Sequence, residues 1–292
     1  MPNAKFLLIL FAFVLMTCCA PLGGAEDEDD GYKFSPFTPA FRPNEQLDYS
    51  VYWNGLKVGN ITLKSGDKPG KDEPYRYYFS SKSTRLGKII FRFFSTTANS
   101  QQSTEDGSSL EFFRHMARDD RFLEERVKFN YKTMDLHQII SHERGRRPVE
   151  RYRLIEDKML DPVTMLWHFR SVKIEKSDER RSYHLFADGF FDVAVGVTGR
   201  KTKEFDHIGK REVWTATMVI PKVMLSFKTG TFSLEIDVAT GIILNMSWED
   251  SGGSCKAVLV SAKNSPLPFA DLAHHLSRNS ASPGLTTQPE GK

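Results

Sequence analysis

The stretch Leu47–Leu63 constrains the fold more than any other. With Gln46 ahead of it, it reads Gln-Leu-Asp-Tyr-Ser-Val-Tyr-Trp-Asn-Gly-Leu-Lys-Val-Gly-Asn-Ile-Thr-Leu. Leu47, Tyr49, Val51 and Trp53 alternate with Asp48, Ser50, Tyr52 and Asn54, the period of a half-buried strand. Asn54-Gly55 supplies the two positive-φ residues of a tight hairpin turn. On the return, Leu56 and Val58 share one parity and Ile61 and Leu63 the other. A β-bulge at Gly59 restores the face. The chain therefore opens its folded part with an antiparallel hairpin.

Residues 1–25 read as a signal peptide: Lys5 is their only charged residue and Phe6–Met16 is an unbroken apolar core, too short to span a bilayer comfortably. Two exits fit. Gly23-Gly24-Ala25 suits ordinary cleavage, leaving Glu26 first. Leu15-Met16-Thr17-Cys18 resembles a lipobox, which would make Cys18 a lipidated first residue. The protein is expected to be exported: periplasmic, or membrane-anchored if Cys18 is lipidated. Losing Cys18 and Cys19 leaves Cys255 without an intramolecular disulfide partner.

The formal net charge is +3; the chain without residues 1–25 carries +2, and the five acids Glu26–Asp30 precede a body of +7. Residues 26–36 read as an acidic, solvated leader. The basic body can meet anionic head groups or glycans. Beyond residue 262 a polar tail (263–292) is expected to be mostly disordered, with a short helix at Asp271–Ser277.

Between the ends, residues 37–262 read as a single antiparallel β domain. Strands are expected at Arg76–Lys82, Ile89–Thr97, Leu110–His115, Arg121–Tyr131, Met134–His142, Ser182–Ala187, Phe190–Val197, Lys201–Asp206, Glu212–Ile220, Thr231–Asp237, Ile242–Trp248 and Ser254–Ser261. Turn residues such as Ala239-Thr240-Gly241 punctuate them, which argues for a curved sheet or open barrel. One helix interrupts the series. Asp161 is an N-cap, Pro162 fits the first helical position, and Val163, Leu166 and Trp167 share a face through Arg170. The fold class is mainly β, with this central helix packed on the sheet.

Three segments carry a family resemblance. Phe41–Gly55 with Val58-Gly59 resembles the opening pattern of the bacterial exported family known as domain of unknown function 3108. The helix Asp161–Arg170 resembles its central segment, and Gly253-Ser-Cys-Lys-Ala-Val-Leu-Val its closing strand. The resemblance covers roughly residues 37–262 and implies an exported, mostly antiparallel fold. A looser architectural similarity runs to the half-barrels of periplasmic lipoprotein carriers.

The chemistry is sparse. Gly196–Thr202 has the wrong spacing for a phosphate loop and sits where a strand, not a helix, is expected. His137 and His142 have opposite strand parity, so with Glu143 they make no metal site. The acidic pairs Asp119-Asp120, Glu124-Glu125 and Glu156-Asp157 would need to converge for acid/base work. Cys255 reads as a small buried residue. Neither cofactor nor metal is expected, and an exported chain is a poor nucleic-acid partner. The loop containing Arg144, Arg146 and Arg147 is a candidate anionic-surface contact. Filling a β core explains most of the 22 Phe, 9 Tyr and 4 Trp, yet a curved sheet closed by a helix can enclose an acyl chain. Tyr49, Val51, Trp53 and Trp167 are the candidate cavity walls. The leading expectation is a non-enzymatic envelope protein that binds a lipid or other amphipathic ligand. A protein-interaction scaffold of the envelope and a glycan or lipid hydrolase are the alternatives.

Overall fold

The computed structural model describes residues 40–91, 95–118, 121–142, 147–171, 174–187, 189–219, 231–250 and 253–269. The signal region with Cys18, the leader and the Asp271–Ser277 helix lie outside them.

The first half contributes β1 (Gln46–Trp53), β2 (Leu56–Ser65), β3 (Tyr75–Ser83), the short helix α1 (Arg85–Phe91), β4 (Ser95–Gln102), β5 (Ser109–Arg118), β6 (Arg121–Asn130), β7 (Asp135–Ser141) and β8 (Val149–Leu154). Helix α2 (Pro162–Ser171) follows. The second half adds β9 (Arg180–Phe186), β10 (Phe190–Phe205), β11 (Gly209–Val219), β12 (Thr231–Asp237), β13 (Ile243–Asp250) and β14 (Gly253–Lys263). All fourteen strands form one antiparallel sheet in the order β8-β7-β6-β5-β4-β3-β2-β1-β14-β13-β12-β11-β10-β9. The sheet is not closed: β8 and β9 are its edges. It curls strongly. Phe129 of β6 meets Phe186 of β9 edge to face at 6.0 Å, and the Arg153 guanidinium of β8 lies 5.9 Å from the rings of both Phe186 and Phe190.

The opening hairpin, β1 with β2, lies inside the sheet, between β3 and β14. Asn54 (φ 45°) and Gly55 (φ 80°) make the left-handed turn. The bulge falls where Val51 faces Gly59 and Tyr52 faces Lys57, so Val58 is the extra residue. The turn is tied to the closing strand: Asn54 N–H donates to the Ser254 carbonyl at 2.9 Å, and the Ser254 N–H to Asn54 Oδ1 at 2.8 Å. Near the other end of the pair, Asn264 Nδ2 donates to the Asn44 carbonyl at 2.9 Å.

The register turns the alternation into rows of side chains on the inner face. Leu47, Leu63, Phe79, Ala98, Arg114 and Glu125 succeed one another across β1 to β6. The last two form a buried ion pair at 2.7 Å, and Gln138 Nε2 donates to Glu125 Oε1 at 2.5 Å. A continuous apolar cluster fills much of the interior around the polar groups that anchor the central helix.

Three expectations change. Ile89–Phe91 belong to α1 rather than to a strand, and β4 starts only at Ser95. Thr84 caps the helix, accepting the Gly87 N–H on Oγ1 at 3.1 Å. Phe190–Val197 and Lys201–Asp206 fuse into one strand, with the register slip between Val197 and Gly199 absorbing the glycine. The expected basic loop runs into a strand: Val149–Leu154 is β8. Apart from α2, then, a second helix is present among the described residues.

Helix α1 packs on β2, and Gly87 makes that approach feasible: a Cβ there would sit 2.0 Å from the Val58 carbonyl oxygen. Alanine gains about 1 kcal/mol in helix propensity. Overpacking against backbone costs roughly 3 kcal/mol, which wins. Gly87→Ala should therefore lose about 2 kcal/mol net, lowering Tm by roughly 4–8 °C in a thermal melt.

Candidate functional site: a cleft at the end of the central helix

Helix α2 is pinned at both ends by buried polar groups. At its start, Asp161 Oδ1 accepts the Val163 and Thr164 N–H groups at 2.8 and 3.0 Å. Its Oδ2 accepts hydroxyls from Ser109 (2.7 Å), Thr164 (2.6 Å) and Ser100. Burial pushes the Asp161 carboxyl upward, and these donors oppose the shift. The cap thereby ties the helix to β4 and β5.

Toward its C-terminus, Trp167 stacks on Tyr77 of β3 at 4.9 Å, and the Arg170 guanidinium covers the other part of the stack at 4.8 Å from the indole. Arg170 also reaches Glu45, just before β1, through two hydrogen bonds of 2.6 and 3.2 Å. Both side chains are buried. Such a fork-to-carboxylate pair is strong only while both partners remain.

Beyond Arg170 the helix ends at a cleft of about 850 Å³. The sheet register builds its wall: Arg200 of β10 faces Trp214 of β11, which faces Ile236 of β12. Arg200 lies over the Trp214 ring at 5.2 Å and pairs with Glu212 at 2.5 Å. The entering segment supplies Phe41 and Arg42 on the opposite side. Arg42 is exposed and makes no ion pair among the described residues.

The β12–β13 turn forms the floor. Gly241 has φ +68° and its Cβ would come 3.0 Å from the Arg170 carbonyl oxygen, so only glycine both makes this turn and meets the helix end. Asp237 organises the turn. It accepts Arg211 at 2.8 and 3.0 Å and the Thr240 N–H and hydroxyl at 2.9 and 2.7 Å. The next acid, Glu235, would be raised by burial. Lys203 (2.6 Å), Lys201 (2.9 Å) and Asn245 (2.9 Å) overcome this and hold it at about 2.

The four proposed wall residues lie elsewhere. Tyr49, Val51, Trp53 and Trp167 are all in the packed core, and none lines the cleft. The Tyr49 hydroxyl donates to the Ile243 carbonyl at 2.9 Å. Trp167 touches the cleft's lining through Arg170, which lies over its indole, and through Ser171, whose hydroxyl donates to its carbonyl at 3.3 Å. Arg147 is exposed; Arg144 and Arg146 lie outside the described residues. Cys255 is buried, and desolvation pushes its thiol up to about 12. His137 pairs with Glu150 at 3.3 Å and stacks on Tyr152 at 4.3 Å. No group of three or more metal-binding side chains occurs among the described residues. Gly196–Thr202 runs straight through β10. Phe41, Arg42, Trp214 and the Asp237–Gly241 turn were not among the site residues expected from the sequence, although Phe41-Arg42 opens the family pattern and Ala239-Thr240-Gly241 reads as a turn.

With fold and site in hand, the chain can be placed: residues 48–238 match the family described as "Protein of unknown function (DUF3108)", and the protein belongs to that family. None of the curated proteins matches it. Among solved structures it is similar to a β-barrel-like protein of domain of unknown function DUF1849 from Brucella abortus, at 12% identity and a TM-score of 0.47 over 76% of this chain and 98% of that one. It is also similar to a putative exported protein with a YmcC-like fold from Bacteroides fragilis, at 10% identity and a TM-score of 0.35 over 78% of this chain and 100% of the other.

Two outcomes test this architecture. Glu45→Ala should cost about 3–5 kcal/mol by stranding Arg170, while adding Arg170→Met should recover part of that loss in a double-mutant cycle read by chemical denaturation. His168, buried in α2 against Tyr183, has its pKa lowered from 6.5 to about 4, chiefly by desolvation. The unfolded chain then binds a proton at higher pH than the native one. Stability should therefore fall as pH drops from 6.5 toward 4, by up to roughly 3 kcal/mol, and His168→Gln should flatten that part of the curve.

Proposed function

We propose that this protein is a non-enzymatic, exported component of the cell envelope that holds an amphipathic ligand in the cleft beyond α2. The cleft itself carries the reading. At about 850 Å³ it has the volume of a small-ligand site. Its wall offers Trp214, Ile236 and Phe41 to an apolar chain, and its rim offers Arg42 and Arg200 to an anionic head group. A non-catalytic role is supported by the acids present. Asp237 is engaged by Arg211 and Thr240, and Glu175 stands on the exposed rim, so the two do not form a converging carboxylate pair. Export rests on the charge and apolar pattern of residues 1–25.

The test is titration of the full chain with oleate, read by tryptophan fluorescence, beside native mass spectrometry of protein purified from a membrane-containing host. Oleate should shift the emission, and Trp214→Phe should remove most of the response. Arg42→Ala and Arg200→Ala should each weaken binding by about fivefold to tenfold. A neutral maltoside detergent should be indifferent to both arginines. Protein that is recovered empty and ignores added oleate overturns the reading.

A further inference from the structure

Helix α1 and the opening hairpin turn present one continuous face. Leu56 and Lys57 follow the Asn54-Gly55 turn, and the helix starts beside them. The Thr84 N–H donates to the Val58 carbonyl at 2.9 Å, and the Thr84 hydroxyl to the Lys57 carbonyl at 3.3 Å. Gly87 closes on the same Val58 carbonyl oxygen. At about 100° per residue, Arg85, Leu86 and Ile89 share one arc of the helix, and Gly87 lies on its far side. The close approach of Gly87 therefore turns that arc outward. Leu56, Leu86 and Ile89 are 56%, 36% and 71% exposed. Single exposed apolar side chains are ordinary, but three beside one turn form a patch.

The charge around the patch says what it meets. No Asp or Glu occurs between Asp48 and Asp67, or between Glu73 and Glu105, the stretches that carry the turn, α1 and the strands next to them. Lys57, Lys82 and Arg85 are exposed and make no ion pair among the described residues. Lys88 adds a cation in the last turn of α1. The exposed acid Glu249 lies two strands from β1, on β13 and diagonal to Lys256. Apolar tips flanked by long cationic side chains fit a surface that is apolar beneath and anionic above. That is the layering of a bilayer rich in acidic phospholipid.

We propose that the face made by the Asn54-Gly55 turn and α1 docks the protein on an anionic bilayer. Leu56, Leu86 and Ile89 enter the head-group layer, while Lys57, Lys82 and Arg85 meet lipid phosphates. With so few anchors the attachment is reversible and weakened by salt. It is independent of the ligand reading of the cleft. Phe41 and Arg42 of the cleft precede the start of β1, whereas the docking face lies past its end, about 25 Å of strand away. None of the docking residues lines the cleft.

Flotation of the full chain with vesicles of phosphatidylethanolamine and phosphatidylglycerol tests this, beside vesicles of phosphatidylcholine alone. Binding should favour the anionic vesicles by at least about tenfold and fall by a similar factor between about 0.1 and 0.5 M salt. Lys57→Gln and Arg85→Gln should each weaken it about fivefold. Ile89→Ser should weaken it about tenfold, and Leu56→Ser, at a second exposed position, serves should the helix variant fold poorly. A positional readout separates this face from any contribution of the apolar N-terminal segment. Tryptophan introduced by Ile89→Trp should be quenched by brominated phosphatidylglycerol, and tryptophan introduced by Tyr78→Trp, on the outer face of β3, should not. Equal binding to neutral vesicles overturns the proposal. So does binding that ignores all four substitutions, or an Ile89→Trp signal quenched no more than that of Tyr78→Trp.

Discussion

The pairing of β1 with β14 is the constraint on which the rest of the structure depends. Each half of the sheet is a meander whose strands pair with their sequence neighbours, so each could form locally. Only the contact between the first and last strands joins them into one curled sheet. It is made by residues 200 or more positions apart, such as Ser254 and Asn54. Closing so long a loop carries an entropy cost that local hairpins avoid, and folds of this kind assemble slowly. The Asn54-Gly55 turn helps fix the register, because its side chain and backbone bond directly to the closing strand. A slip of one residue would turn Leu47, Tyr49, Val51 and Trp53 out of the core together.

Helix α2 solves the problem that this curvature creates. A curled sheet leaves a trough that side chains alone fill poorly, and the helix fills it with Val163 and Trp167. A helix in an apolar trough brings unsatisfied backbone groups at its start and charged residues at its end. Here Asp161 takes up the first and Glu45 compensates the second. The same Arg170 that is neutralised by Glu45 also marks where the helix stops and the cleft begins. Structural anchoring and the candidate ligand site thus share one residue.

Much of this was legible in the sequence. The alternation of Leu47, Tyr49, Val51 and Trp53, the Asn-Gly turn, the bulge beside Gly59 and the Asp161-Pro162 helix start all appear where local chemistry places them. What failed to show is instructive. In Val149–Leu154 the alternation is masked, because Arg151 and Arg153 take the inward-facing positions at an open edge. Ile89, Ile90 and Phe91 have strand propensity, and the contact of Gly87 with β2 overrides it. The cleft was invisible for a different reason. Arg200, Trp214 and Ile236 form a row only through pairing across three strands, and Arg170 meets Glu45 across 125 residues. The aromatic residues that sequence pointed to turned out to be core, and the site lay where the register, not the composition, put it.

The junction of the first and last strands has a topological consequence. Asn44 and Asn264 touch, so the described chain returns to where it began. The two edges of the sheet, by contrast, belong to the middle of the sequence, on either side of α2. The described chain is in effect a ring of strands sewn shut where β1 meets β14 and left open at its midpoint. A circular permutant that fuses the two ends and starts anew between α2 and β9 would convert the sheet into an uninterrupted up-and-down meander. Its longest-range pairing would become a local hairpin, with every contact of the native fold retained.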